Sequence, residues 1–237
     1  MIKALALFSA GLDSLLAAKI ILDQGVQVEA VHFLNAFLSG YIENPIPEQS
    51  LTKQKSIAGQ LGIKLHIIDI AQVHLEMVKS PLFGYGKNLN PCIDCRILML
   101  KQAKAYMQRH GFSFLISGEV LGQRPMSQRK DTLSLVERRA QVQGLLLRPL
   151  SAKLLAPTIP EEKGWVTREK LFAFSGRSRQ AQLALVGELG MKEYLTPAGG
   201  CLLTQAEFAR KFQDLVNRGN CGLEDVLLLK VGRHFSC

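Results

Sequence analysis

The sequence has no apolar run that approaches the roughly 20 residues of a membrane-spanning helix, which argues against an integral membrane protein. Residues 1–7 form only a short apolar stretch, without the basic start and small-residue cleavage site of a secretion signal. The apolar fraction of 47% and the charged fraction of 21% are ordinary for a folded protein. The composition predicts a folded cytoplasmic protein that contacts no membrane.

Cysteine is scarce and odd in number. The chain has 5 cysteines, at positions 92, 95, 201, 221 and 237. An odd number without a secretion signal argues against a disulfide framework. Free cysteines are most often inert core residues, which is the prediction for Cys221 and Cys237.

Basic residues exceed acidic ones, and the formal net charge is +9. They are dispersed through the second half of the chain, which predicts a folded basic surface rather than a disordered arm. Such a surface attracts polyanions, because neutralised phosphates release counterions. Many basic proteins bind no nucleic acid, so charge alone leaves this function open.

Apolar runs and helical periodicity alternate along the first half of the chain. Strands are predicted at 2–8, 26–33, 64–68 and 114–117, and helices at 15–22, 51–61 and 97–110. This alternation predicts the α/β class, with a parallel sheet covered by helices on both faces. Ligands bind such sheets at the carboxyl ends of the strands, which places a site after Phe8, Phe33 and Ser117.

A proline-containing stretch, residues 145–167, interrupts the alternation. We therefore predict a boundary near Leu155, with a main domain at 1–155 and a smaller, mostly helical C-terminal region at 156–237 that carries Cys201. Helices are predicted there at 168–174, 177–189 and 205–218, followed by a short apolar run at 226–231.

The turn after the first strand reads Ser9-Ala10-Gly11-Leu12-Asp13-Ser14. Small residues let backbone N–H groups approach a phosphate, and the following helix directs its positive end at the anion. An ordinary helix cap is the alternative, since Ser and Asp are common caps. The turn has neither the Gly-Lys-Ser/Thr ending of a Walker loop nor the glycine spacing of a dinucleotide fingerprint.

These residues resemble the PP-loop (ATP pyrophosphatase) family, whose signature Ser-Gly-Gly-x-Asp-Ser follows the first strand of a Rossmann-like, adenine-nucleotide α-hydrolase-like domain. Ala10 replaces the first glycine, which is tolerable if that position does not need a positive φ. The resemblance implies that residues 1–155 bind ATP with Mg²⁺ near Asp13. It also implies cleavage to AMP and pyrophosphate, with AMP activating a carbonyl oxygen. The loop residues that would bind ATP are Ser9, Gly11, Leu12, Asp13 and Ser14.

The family carries Thr/Ser-Gly-His where this chain has Ser117-Gly118-Glu119. Ser117 and Gly118 are therefore expected to line the nucleotide site, together with His32 and Phe33 at the end of the second strand. Glu119 departs from the family histidine. It is either a solvated carboxylate at a helix start or a functional residue.

Two cysteines stand just before the helix predicted from residue 97, in Asn90-Pro91-Cys92-Ile93-Asp94-Cys95. A helix N-terminus lowers thiol pKa values and favours thiolate. Cys201 lies in a glycine-rich turn, residues 197–204. Cys-x-x-Cys by itself is shared by zinc, redox and iron–sulfur sites.

The Asn-Pro-x-x-x-Cys pattern resembles the tRNA 2-thiouridylases, which implies a persulfide on Cys95 and Cys201 as the resolving thiol. The additional Cys92 makes the chain more similar to PP-loop tRNA thiolases that bind a four-iron four-sulfur cluster through three cysteines. That likeness implies cluster ligation by Cys92, Cys95 and Cys201. We favour the cluster over the persulfide, and both over a structural zinc with Cys221 or a histidine as fourth ligand.

The resemblance implies an ATP-dependent tRNA sulfurtransferase, with Asp13, Cys95 and Cys201 as catalytic residues. Its partners would be tRNA and a sulfur donor, either sulfide or a persulfide carrier, and a homodimer is compatible with the sequence. Two alternatives stay open, a PP-loop ligase or sulfurtransferase acting on a small molecule and a non-catalytic RNA- or metal-binding module. The residues expected to contact RNA are Arg124, Arg129, Arg177 and Arg179.

Overall fold

The computed structural model describes residues 2–38, 40–41, 51–195, 201–219 and 221–231. The expectation for Cys237 lies outside these residues, as does the first part of the glycine-rich turn, residues 197–200.

A parallel sheet of 5 strands forms the centre of the fold. Its order is β3-β2-β1-β4-β5, and every neighbouring pair is parallel. The predicted α/β class with a parallel sheet is confirmed. The strands are β1 (Lys3–Leu7), β2 (Gln27–Leu34), β3 (Leu65–Asp69), β4 (Phe114–Ser117) and β5 (Leu146–Leu147).

Helices connect and cover these strands. In the described residues they are α1 (Leu12–Leu22), α2 (Thr52–Gln60), α3 (Ala71–Lys79), α4 (Cys92–Arg109), α5 (Lys130–Ala140), α6 (Ile159–Glu162), α7 (Gln180–Glu188), α8 (Ala206–Asn217) and α9 (Leu223–Leu228). Short 3₁₀ turns lie at Ala152–Leu154, Arg168–Lys170 and Leu202–Thr204. No helix in the described ranges is long and apolar enough to cross a bilayer.

Side chains of β1 alternate between two apolar cores, as the pleat of a strand requires. Ala4 and Ala6 pack with α1 on one face, and Leu5 and Leu7 pack with α4 on the other. A third apolar cluster joins the end of β2 to α3, α8 and α9, and it contains the buried Cys221. The inert core role predicted for Cys221 agrees with this placement.

Several boundary predictions were wrong. The helix predicted at 168–174 is only a 3₁₀ turn, because Phe172 and Phe174 donate backbone N–H groups to Pro149 and Leu150 in an extended segment. The helix predicted at 177–189 begins at Gln180. The sequence patterns missed α3, α5 and β5.

The cysteine helix begins earlier than predicted. Cys92 and Cys95 belong to the first turn of α4 instead of preceding it. Asp94 stabilises this start, because its carboxylate accepts the backbone N–H groups of Leu82 and Phe83 at 3.0 and 3.1 Å.

Residues beyond the predicted boundary share the main core. Val166, Leu171, Leu185 and Val186 pack in the same apolar cluster as α1. The division near Leu155 stays a prediction.

Candidate active site at the carboxyl edge of the sheet

The phosphate loop lies between β1 and α1. Gly11 is the N-cap of α1, so the first backbone N–H groups of the helix face the loop without helical partners. Ser14 Oγ donates to the Gly11 carbonyl at 2.9 Å and lies 3.2 Å from Ser9 Oγ. The two hydroxyls and the helix N-terminus form a small cradle suited to an anion.

Ala10 adopts a left-handed backbone, with a φ of 61°. The condition under which alanine was expected to be tolerated here is therefore not met. A non-glycine residue in this region costs roughly 1–2 kcal/mol. Leu195 helps to hold the strained residue, because its backbone N–H donates to the Ala10 carbonyl at 2.8 Å.

Gly118 brings the end of β4 against the phosphate loop. A Cβ atom at this position would lie 2.5 Å from the carbonyl carbon and oxygen of Asp13 and from the backbone nitrogen of Ser14. Only glycine allows this approach. Ser117 and Gly118 therefore lie beside the loop, where the resemblance predicted them.

The Asp13 carboxylate lies among polar side chains. Its Oδ2 accepts from Gln123 Nε2 at 2.9 Å and pairs with Arg179 Nη2 at 3.5 Å. Its Oδ1 is buried and has no hydrogen-bond partner among the described residues. A buried carboxylate oxygen without a donor suits a hard cation such as Mg²⁺, so the loop fits the predicted metal–nucleotide ligand.

The other predicted nucleotide contacts differ in exposure. His32 is half-buried, its Nδ1 lies 2.8 Å from the Phe8 carbonyl, and burial lowers the pKa of the ring. Leu12 and Phe33 direct their side chains into the two apolar cores. At those two positions only the backbone is available to a ligand.

Glu119 is not a solvated carboxylate, and that interpretation was wrong. The side chain is 1% exposed. Its Oε1 accepts from Arg96 Nε at 2.6 Å, and its Oε2 accepts from Arg148 Nε at 2.9 Å and from Ser117 Oγ at 3.0 Å. Although burial alone would raise the pKa of Glu119, the two arginines hold it at about 2. Arg148 also pairs with Glu137.

The three predicted sulfur residues come together at the same edge of the sheet. Each thiol contributes to the electrostatic environment of another: Cys201 and Cys92 both raise the pKa of Cys95, and Cys92 raises that of Cys201. Burial is the larger cause, and the pKa values reach about 12 for Cys95 and about 11 for Cys201. The expected lowering by the helix N-terminus is therefore outweighed by burial. Arg96 opposes the shift at Cys92 and Cys95.

The thiols suit soft metals and iron–sulfur clusters by their chemistry. As placed, however, no group of three or more His, Cys, Asp or Glu side chains in the described residues could hold a metal ion. The arrangement does not present a ready set of cluster or zinc ligands.

His74 contacts the sulfur centre and was missed by the sequence patterns. Its Nε2 lies 3.2 Å from Cys95 Sγ, and the ring is 1% exposed. Burial lowers the pKa of His74 to about 4, so the imidazole is neutral at pH 7. The sequence shows His74 only as an isolated histidine, and α3, the helix that carries it, was not detected by the sequence patterns.

The four arginines predicted to contact RNA have different surroundings. Arg124 is exposed and lies near Cys92, where burial raises the thiol pKa and the positive charge of Arg124 opposes that shift. Arg129 is exposed and paired with Asp131, and Arg177 is exposed. Arg179 instead contacts Asp13 of the phosphate loop. RNA contact by these residues stays a prediction.

Comparison with known proteins gives a consistent relationship. The family model described as Thiamine biosynthesis protein (ThiI) matches residues 2–153. A probable tRNA sulfurtransferase of Thermoanaerobacter sp. is 36% identical over 124 residues, which are 51% of this chain and 30% of that protein. The tRNA-specific 2-thiouridylase MnmA of Campylobacter curvus is 31% identical over 120 residues, 49% of this chain and 34% of that protein. The chain spans about a third of the length of these relatives.

Solved structures support the fold. A 4-thiouridine synthetase in complex with RNA and ATP superposes with a TM-score of 0.53 and 20% identity, covering 96% of this chain and 52% of that one. A predicted tRNA methyltransferase subunit of Methanocaldococcus jannaschii gives a TM-score of 0.52 and 16% identity, covering 92% and 89%. The parallel sheet, the loop after β1 and the family match agree, and the chain belongs to the ThiI family of PP-loop proteins.

Proposed function

We propose that this chain is an ATP-dependent tRNA sulfurtransferase that replaces a nucleobase carbonyl oxygen with sulfur. One observation carries the proposal: the phosphate loop and three thiols, Cys92, Cys95 and Cys201, share the carboxyl edge of one sheet. The names of the relatives support the reaction class, since they include tRNA sulfurtransferases, a 2-thiouridylase and a 4-thiouridine synthetase bound to RNA.

The first step activates the base. The nucleobase oxygen attacks the α-phosphorus of ATP, and pyrophosphate leaves. The N-terminus of α1 and the hydroxyls of Ser9 and Ser14 stabilise the departing pyrophosphate. Asp13 would hold Mg²⁺, which would neutralise negative charge on the phosphates. The product carries AMP on the former carbonyl oxygen, which converts a poor leaving group into a good one.

The second step delivers sulfur. In the thiol form of the mechanism, the outer sulfur of a Cys95 persulfide attacks the activated carbon, and AMP leaves with the original oxygen. The Cys201 thiolate then attacks Cys95 Sγ, which forms a Cys95–Cys201 disulfide and releases the thiolated base. An external dithiol reduces the disulfide. A persulfide donor then transfers its outer sulfur to the Cys95 thiol and leaves as a thiol, which restores the Cys95 persulfide. Division into two steps lowers the barrier of each.

The sequence favoured a four-iron four-sulfur cluster on Cys92, Cys95 and Cys201 as the sulfur centre. When bound, such a cluster would supply sulfide through an open iron. The thiols suit that cluster by type but not by their placement in the described residues, so metal analysis distinguishes the two forms. Iron and acid-labile sulfide are measured on anaerobically purified protein and on Cys92→Ala. About four of each per chain, lost in the variant, would support the cluster.

The experiment that tests the function measures AMP formation from ATP and thionucleosides in tRNA, with a persulfide donor and a dithiol in one reaction and sulfide in a second. We expect tRNA to stimulate AMP formation and Cys201→Ala to abolish thionucleoside formation. Cys221→Ala is the matched control, because Cys221 is a buried apolar-core thiol. Stimulation by a metabolite instead of tRNA would favour the small-molecule alternative. Failure of the chain to bind ATP would favour the non-catalytic one.

A further inference from the structure

Arg96 lies between the phosphate loop, residues 9–14, and the cysteines at the start of α4. It follows Cys95 in α4, and its Nε is bonded to Glu119 at 2.6 Å. Glu119 follows Gly118, which touches the backbone of Asp13 and Ser14. The guanidinium group of Arg96 therefore connects α4 to Glu119, and the neighbouring Gly118 packs directly against the phosphate loop.

The guanidinium is fixed at one end and open at the other. In the described part of the chain, hydrogen bonding of Arg96 is confined to Nε, and its side chain is 21% exposed. The two terminal Nη groups form the fork that binds phosphate in a bidentate manner. Its anchor, Glu119, is buried and bonded on both oxygens, so the side chain is pre-oriented.

We propose that Arg96 binds the phosphate of the adenylated substrate beside the thiols, and that Glu119 is the residue that positions it. The inference rests on the proposed function. During sulfur substitution the carbon–oxygen bond breaks, and its electron pair leaves on the AMP oxygen. A cation at that phosphate stabilises the developing charge in a site where water is partly excluded. The same phosphate must be reached from both the phosphate loop and the thiols. Arg96 lies close to Cys92 and Cys95, and its partner Glu119 follows the glycine that packs against the loop.

The decisive variant is Arg96→Lys. Lysine keeps the positive charge beside Glu119 but lacks the Nε anchor and the fork. Arg109→Lys is the matched control, because Arg109 is an exposed residue at the other end of the same helix. We expect Arg96→Lys to weaken AMP binding in calorimetry ten- to a hundredfold, the loss typical of a charged hydrogen-bonding group. The turnover number for thionucleoside formation should fall about a hundredfold, whereas Arg109→Lys should match wild type.

Two further measurements separate this role from a structural one. Arg96→Lys should remain folded, because lysine keeps a cation beside the buried Glu119, and Arg109→Lys should melt at the wild-type temperature. Millimolar guanidinium ion should partly restore thiolation by Arg96→Ala, which a purely structural ion pair would not predict. Arg96→Lys that binds AMP and thiolates tRNA as well as Arg109→Lys does would overturn the assignment. Absence of tRNA-stimulated ATP cleavage in wild-type protein would instead overturn the proposed function itself.

Discussion

The contact between Gly118 and the phosphate loop makes Gly118→Ala a sharp test of the site geometry. The added Cβ would lie 2.5 Å from three backbone atoms of Asp13 and Ser14. Carbon contacts are normally about 3.5–4.0 Å, so the loop and the end of β4 must separate by about 1 Å. No flexible side chain can yield in their place, because all three atoms belong to the backbone.

The size of the effect follows from this displacement. Overpacking of a well-packed region costs typically about 1–3 kcal/mol. For a chain of this length, 1 kcal/mol shifts the melting temperature by roughly 2–4 °C, so we expect a decrease of about 2–12 °C. ATP binding should weaken at least tenfold, about 1.4 kcal/mol, because the displaced atoms build the phosphate cradle.

Calorimetric melting and ATP titration measure the two effects. Gly59→Ala is the matched control, since a Cβ at this position in α2 meets no atom within 4 Å. Alanine in a helix interior should stabilise the control by up to about 1 kcal/mol. Gly118→Ala with wild-type melting and wild-type ATP affinity would refute the contact.

Three other substitutions test separate parts of the argument. Glu119→Gln should lower the free energy of unfolding at pH 7 by about 3–5 kcal/mol. The folded pKa of Glu119 lies at about 2, below its ordinary 4.5, so its stabilisation of the fold is complete above pH 4.5 and is lost as the pH falls towards 2. Urea unfolding should therefore show the free energies of the variant and of wild type converging over this pH range. A difference that does not change with pH would contradict the ion-pair explanation. Ala10→Gly relieves the left-handed strain but loses a buried methyl and adds chain entropy, so its unfolding free energy should stay within about 1 kcal/mol of wild type, whereas Ala30→Gly in β2 should lose more; equal losses would count against the strain. Cys221→Ala should keep full ATP affinity and lower the free energy of unfolding in urea by about 1 kcal/mol or less. A loss of ATP binding would show that packing in the apolar cluster around Cys221 affects the phosphate loop.

The sheet was predictable because local signals determine it. Buried parallel strands are short continuous apolar runs, as in residues 3–7 and 114–117, and helices of regular length separate them. The phosphate loop was predictable because its residue types and its position after a strand act together. The positive φ of Ala10 was not, since the tether from Leu195 is supplied by a segment far away in sequence.

The partners of buried polar residues could not be read from the sequence. Glu119 stands in a polar stretch that would suit a surface turn equally well, and its burial depends on arginines from α4 and from the segment after β5. The His74 contact with Cys95 depends on the packing of α3 against α4, and α3 was not detected. Such pairs are determined by the tertiary fold and leave no local pattern.

The hydrogen bond from Leu195 to Ala10 also limits the distance between the phosphate loop and Cys201. Six peptide steps separate Leu195 from Cys201, and an extended chain covers at most about 3.6 Å per residue. Cys201 therefore lies no farther than about 22 Å along the backbone from Leu195, where the phosphate loop is tethered. Insertion of residues between Leu195 and Cys201 would raise this maximum distance without altering the residues of the phosphate loop. The number of residues between Leu195 and Cys201 thus limits the distance between the Cys201 sulfur and a base activated at the phosphate loop.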